Sequence, residues 1–317
     1  MPRKLKTSLK VVTTLGVLVI VALTGVGALQ HPDTTLPPGA LGTHVVVAGV
    51  PIRYAQAGRG PDVLLIHGSP GSVEDWAPIV ERLSDRFRVT AFDRPGHGYS
   101  GGAELPHTPE ENARIALELI RALRLRDVIL VGHSYGGMTG LALAIRNPEE
   151  VRALVVVGSR AYGPASVGPL YRLLSVPMLG AGFAAVAGQS IGPGQIEAGI
   201  RTSFGPNVDL IPTGFVAERI RIWNRPSVTT SLSLERMTLE ASLNAMAPHY
   251  GEIRKPVFLV CGEQDERNYR DAQRLVREIP GARLRSLPDT GHYVQFARPD
   301  DLARVIDEAA ALLGKPD

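Results

Sequence analysis

The sequence predicts an α/β protein with a mostly parallel central sheet flanked by helices and a mainly helical cap inserted after the sixth strand. Three observations predict it. Short continuous apolar runs at 63–66, 128–131 and 154–157 read as strands buried on both faces, because a strand with one wet face would alternate. Helical patterns at 74–84, 109–124 and 135–146 separate them, as parallel pairing requires. The rhythm lapses over 161–247, a stretch rich in Gly, Pro, Ala and Leu, and then resumes.

The first element in chain order is basic and then apolar. Arg3, Lys4, Lys6 and Lys10 precede residues 11–29, nineteen residues without a charge. As a helix that run rises about 28 Å, close to the thickness of a bilayer core. Basic residues on its N-terminal side hold that end in the cytoplasm. Residues 1–30 are therefore expected to anchor the chain in a membrane through residues 11–29, with the rest of the chain on the non-cytoplasmic side. A signal peptide cleaved near Ala28, after Val26-Gly27-Ala28, is the alternative and gives a secreted or periplasmic domain. Residues 31–43, with Pro32, Pro37, Pro38 and Gly39, read as a stiff linker.

Residues 44–48 and 52–57, joined by Gly49-Val50-Pro51, form an expected antiparallel pair. Strands at 63–66, 88–92, 128–131 and 154–157 follow, and the helix over 135–146 stops before Asn147-Pro148. After the insertion come a strand at 256–260, a helix near 269–278, a strand near 282–287 and a last helix at 299–313. The expected organisation is a core of 44–160 and 248–317 with a cap of 161–247.

Charge excludes one class of partner. Four of the 34 basic residues and none of the 31 acidic ones fall in residues 1–30, so the remainder carries 30 basic against 31 acidic side chains. A nucleic-acid binder would need a basic face on the folded domain, and no nucleic-acid partner is expected. The one cysteine excludes an internal disulfide. No His/Asp/Glu cluster has metal-ligand spacing, and no cofactor is expected. Residues 96–101 spell G-x-G-x-x-G, but Gly102, Pro106 and Pro109 defer the helix that a dinucleotide site needs. The Arg219, Arg221 and Arg225 run reads as a solvated helix face, and Cys261 as a packed small hydrophobe.

Chemistry concentrates elsewhere. Gly132-His133-Ser134-Tyr135-Gly136 follows a strand and opens a helix, the context in which G-x-S-x-G presents a nucleophilic serine on a strained turn. Serine is a weak nucleophile until a base takes its proton. Four further landmarks follow strands in order: His67-Gly68-Ser69-Pro70-Gly71; Asp93-Arg94-Pro95-Gly96-His97-Gly98-Tyr99-Ser100; Gly262-Glu263-Gln264-Asp265; and Gly291-His292-Tyr293.

On these residues the chain resembles the α/β-hydrolase fold family over 44–160 and 248–317. The resemblance implies Ser134 as nucleophile, His292 as general base and Asp265 as the acid that orients it. It also implies an oxyanion hole from the backbone N–H groups of Ser69 and Tyr135; Pro70 has no N–H to offer. Asp271 and Glu263 compete poorly for the acid, and the alternative acid site, Gly158-Ser159-Arg160, holds no carboxylate. The implied activity is hydrolysis of a carboxylic ester or related small acyl compound, with an apolar pocket under the cap. Aminopeptidase or amidase action, C–C bond hydrolysis, thioester hydrolysis and perhydrolysis share the triad. The loop HGSPGS departs from the H-G-G-P-G of proline-releasing aminopeptidases. A non-catalytic ligand-binding member of the fold is the alternative of a different class.

Overall fold

Alternate residues of the central strands feed two separate cores. In β3 (Asp62–Ile66), Leu64 and Ile66 enter one cluster while Val63 and Leu65 enter the other, so all four are fully buried. A computed structural model describes residues 3–31 and 33–313 of the chain. Pro32 of the expected linker and the last four residues of the second core segment lie outside the described residues.

The eight strands are β1 (Thr43–Val47), β2 (Val50–Ala57), β3, β4 (Arg88–Phe92), β5 (Val128–His133), β6 (Val151–Val157), β7 (Val257–Gly262) and β8 (Arg283–Leu287). They run in the order β1-β2-β4-β3-β5-β6-β7-β8. Both pairings of β2 are antiparallel and the others are parallel. This is the mostly parallel sheet expected from the sequence.

Helices cover both faces. After α1 (Arg3–Ala28) come α2 (Ala77–Leu83), α3 (Pro109–Ala122) and α4 (Tyr135–Arg146). The insertion after β6 folds as α5 (Pro169–Leu174), α6 (Leu179–Phe204), α7 (Phe215–Trp223) and α8 (Pro226–Met246). The chain closes with α9 (Glu266–Glu278), α10 (Val294–Ala297) and α11 (Pro299–Leu313). Residues of α3, α4 and α9 join the Leu64/Ile66 cluster, and those of α2 and α11 the Val63/Leu65 cluster. Thr108 caps α3 by accepting from the Glu111 N–H, with Pro109 at its first position.

The N-terminal expectation is corrected. Among the described residues no helix is long and apolar enough to cross a membrane. The membrane span over 11–29 and the non-cytoplasmic placement built on it, anchored or released after cleavage near Ala28, are not met. The apolar segment is instead a helix that packs on the cap through its C-terminal end, around Leu23 and Gly27, while Val12, Leu15 and residues 17–21 stay exposed. A Cβ on Gly27 would stand 1.7 Å from the Met178 carbonyl oxygen, and one on Gly182 would stand 1.8 Å from that of Leu23. Gly27 of Val26-Gly27-Ala28 thus serves a close helix–helix approach and is buried in the contact.

Gly182→Ala tests this docking with two opposing effects. Removing a helix-interior glycine gains up to about 1 kcal/mol of helix propensity. Pressing a methyl into a backbone carbonyl costs about 1–3 kcal/mol, so the clash wins. Hydrogen exchange over residues 20–28 should accelerate in the variant.

The reading of the basic run on α7 and the start of α8 is also corrected in part. Arg219 is 1% exposed; its Nε lies 2.8 Å from Asp75 Oδ1 and its guanidinium 4.1 Å from the Phe215 ring centroid. Arg221 donates to the Tyr99 hydroxyl at 2.6 Å and Arg225 to the Gly98 carbonyl at 2.7 Å. Arg219 and Arg225 fasten the cap to the core, while Arg221 keeps the exposed position expected of it and donates outward to Tyr99.

Candidate active site

The turn between β5 and α4 is as tight as its glycines permit. Ser134 occupies φ 54°, ψ −115°, a conformation a non-glycine residue holds only under strain. A Cβ on Gly132 would stand 2.2 Å from the Gly136 carbonyl oxygen, and one on Gly136 would stand 2.1 Å from that of Ile66. The Ser134 N–H still donates to Val157 at 2.8 Å, and the Ser159 hydroxyl donates to the Ser134 carbonyl at 2.7 Å. The serine is therefore fixed at the end of the sheet.

Asp265 sits just before α9, and His292 lies in the loop between β8 and α10. Their Oδ2 and Nδ1 are 2.6 Å apart. A proton on Nδ1 donated to the carboxylate leaves Nε2 as the acceptor. Asn268 donates to the same Oδ2 at 2.8 Å. Burial on its own would raise the Asp265 carboxyl; hydrogen bonding to His292, attraction to that ring and the Asn268 bond outweigh it and hold the group below the usual carboxylate range. The cap secures the histidine loop: the His292 N–H donates to Ser203 and the Gly291 N–H to Asn207 Oδ1, at 2.8 and 2.9 Å. His133 Nε2 lies 3.0 Å from the His292 carbonyl, and its own burial presses its pKa down to about 3.

The loop after β3 is held by a buried charge pair. His67 Nδ1 lies 2.8 Å from the Gly68 carbonyl, and His67 Nε2 accepts from the Arg94 N–H at 2.9 Å. The Arg94 guanidinium donates to the carbonyls of Gly68 (2.7 Å) and His67 (3.2 Å), to Asn112 Oδ1 (3.2 Å) and to Glu235 Oε1 (2.5 Å). The Ser69 hydroxyl donates to the other oxygen of Glu235. Arg94 and Glu235 are both essentially inaccessible. A cap helix thereby supplies the carboxylate that neutralises the core arginine under this loop. Burial on its own would raise the Glu235 carboxyl, but Arg94 outweighs it and holds it at about 2.

That pair makes a measurable prediction. Glu235→Ala leaves Arg94 buried without its counter-charge, and should cost about 3–5 kcal/mol in urea unfolding. The sign with pH follows from the folded values. Glu235 lies below its reference value of 4.5, so its contribution is complete above pH 4.5 and lost as pH falls toward 2. His97 and His133, pressed down to about 4 and about 3 chiefly by burial, stay neutral while the unfolded chain takes up protons below 6.5. Wild-type stability should therefore fall as pH drops below 6.5 and continue falling below 4.5. Glu235→Ala should flatten the lower part.

Ser69, Ser134, Asp265 and His292 line one cavity of about 880 Å³. Its roof is the cap, with Leu174, Phe183, Ile191, Ile200, Trp223 and Leu232 among the lining. Tyr135 is buried below it as the first residue of α4, so its N–H has no intrahelical partner; its hydroxyl donates to the His107 carbonyl at 2.9 Å. Cys261 is buried, and burial pushes its thiol pKa up. The glycine-rich stretch 96–101 wraps the Asp93 carboxylate, which accepts the Val73 and Tyr99 N–H groups at 2.8 Å each. Among the described residues no group of three or more His, Cys, Asp or Glu side chains could hold a metal ion.

Sequence reasoning missed Glu235, Asn268 and Asn207. Asn268 follows Asp265 by three residues, a spacing that offered a signal; Glu235 and Asn207 are distant in sequence from what they hold and offered none.

A model described as the alpha/beta hydrolase family matches residues 63–305. The chain is similar to the serine hydrolase BPHL of Mus musculus, with 25% identity over 286 residues, 88% of this chain and 89% of that one. It is also similar to the 2-hydroxy-6-oxo-6-(2'-aminophenyl)hexa-2,4-dienoic acid hydrolase of Metapseudomonas resinovorans, with 35% identity over 119 residues, 36% of this chain. That match spans 41% of the relative's length. The fold matches the crystal structure of the enol-lactonase from Burkholderia xenovorans LB400, with a TM-score of 0.68 and 23% identity over 84% of this chain and 99% of that one.

Proposed function

The chain belongs to the alpha/beta hydrolase family, and from that premise we propose that it is a serine hydrolase cleaving a carboxylic ester or related acyl compound through an acyl-enzyme. The observation that carries this reading is the 2.6 Å His292–Asp265 contact opening on the same cavity as the strained Ser134. Ser134 Oγ attacks the substrate carbonyl as His292 Nε2 takes its proton. Asp265 stays ionised, fixes the ring tautomer and stabilises the imidazolium. The Ser69 and Tyr135 N–H groups donate to the oxyanion. Collapse breaks the bond to the leaving group, which takes the proton from His292; water then attacks the acyl-enzyme by the reverse sequence.

The relative whose name is a hexa-2,4-dienoic acid hydrolase supports a second reading, in which the substrate is an unsaturated oxo-acid instead of an ester. The full chain assayed with short p-nitrophenyl esters should release p-nitrophenol. Turnover of an oxo-dienoic acid without ester turnover would favour the second reading, and turnover of neither would speak for a non-catalytic member of the fold.

A further inference from the structure

The wall of the cavity beyond Ser134 is not apolar throughout. Arg160, Arg236 and Arg267 line it, one from the turn after β6, one from cap helix α8 and one from the start of α9. Arg160 stands two residues from Gly158, where a Cβ would lie 3.3 Å from both Asp265 Oδ2 and His292 Nδ1. The cluster therefore begins beside the candidate catalytic groups.

Arg160 and Arg236 are partly buried and Arg267 is exposed at the cavity's edge; their like charges repel one another, and little in the protein offsets the two partly buried ones. Arg160 and Arg267 both donate to the Pro164 carbonyl, a neutral acceptor. Asp271 is the neighbouring carboxylate, 3.7 Å from Arg160 Nε, but its Oδ2 already accepts the Ala161 and Tyr162 N–H groups at 2.9 and 3.3 Å. Arg160 Nε is buried without a hydrogen-bond partner. Arg236, partly buried against the Tyr171 ring at 5.7 Å, has no ion-pair partner among the described residues, and neither has Arg267. Burial, then Arg267 and Arg236, press the Arg160 pKa down against the opposing pull of Asp271. Such an arrangement is relieved by an anion that enters with the substrate.

We propose that Arg160, Arg236 and Arg267 form a subsite for a carboxylate, so that the substrate is an acyl compound carrying a second, free carboxyl group. A planar carboxylate meets guanidinium forks in two parallel hydrogen bonds, and the surrounding cap holds the carbon chain between the two ends. The subsite rests on the acyl-hydrolase reading for its substrate and on the arginines alone for its binding.

The test separates the two. Full-length Ser134→Ala protein is titrated by calorimetry with monomethyl esters of dicarboxylic acids from succinate to suberate, and with the matching dimethyl esters. At least one hemi-ester should bind about tenfold or more tightly than its neutral diester, the size of a charge-assisted contact. In Ser134→Ala/Arg236→Gln that preference should collapse, and Arg236→Lys should retain part of it. Equal binding of the two series, binding of neither, or a preference unchanged in the Arg236→Gln protein would overturn the subsite. If hemi-esters bind preferentially yet wild-type protein cleaves none of them, the subsite stands and the ester-hydrolase reading falls.

Discussion

Ser134→Ala is expected to lower ester turnover by roughly 10⁶-fold, the loss typical when the nucleophile of a serine triad is removed. The size follows from the division of labour. In the proposed mechanism Asp265 and His292 act only through the Ser134 hydroxyl, so removing it removes the unit. Alanine accepts the same backbone, and unfolding in urea should change little. Glycine at the same position separates strain from chemistry. Ser134 holds φ 54°, and relief of such strain is worth about 1–3 kcal/mol. Ser134→Gly should be as inactive as alanine and more stable than wild type. A glycine variant that loses stability would mean the turn is not strained.

Asp265→Asn is the second large effect, about 10⁴-fold in kcat. Asparagine keeps the shape but presents an amide. With its oxygen accepting from Asn268 as Oδ2 does now, it accepts from His292 only if the ring keeps its proton on Nδ1, and it lends the imidazolium no charge. With its nitrogen turned to the ring, it forces the opposite tautomer and leaves Nε2 unable to take the Ser134 proton. Stability should respond differently from activity. Asp265 is held below its reference value of 3.8, so its contribution is complete above that pH and lost as pH falls through the lower folded value. A kcat loss that persists at neutral pH with KM nearly unchanged would mark a loss of transition-state stabilisation; a rise in KM alone would not.

The central strands were legible because their chemistry is local. β3 and β5 are buried at every position, and burial on both faces leaves an uninterrupted apolar run. The glycines around Ser134 were legible for the same reason, since a strand, a turn and a helix start occupy five consecutive residues. The N-terminal helix was misread because an apolar run that crosses a membrane and one that docks by its C-terminal end on a cap helix have the same composition. What distinguishes them here is Gly182, more than 150 residues away in the sequence. Arg219 was misread likewise: nothing near α7 announces that its counter-charge, Asp75, waits 144 residues earlier. Glu235 looks like any charged helix residue until Arg94 is folded beneath it. Long-range charge pairing leaves no periodicity, and that is why the cap's apolar roof was legible and its charged contacts to the site were not.

Labelling of the wild-type chain with a fluorophosphonate, followed by intact-mass and peptide mapping, bears most directly on the nucleophile. Attack by an activated serine forms an O–P bond and expels fluoride. One adduct per chain is expected, on the peptide containing Ser134, and none in Ser134→Ala. An adduct on another residue, or none in a chain that still cleaves esters, would contradict the account.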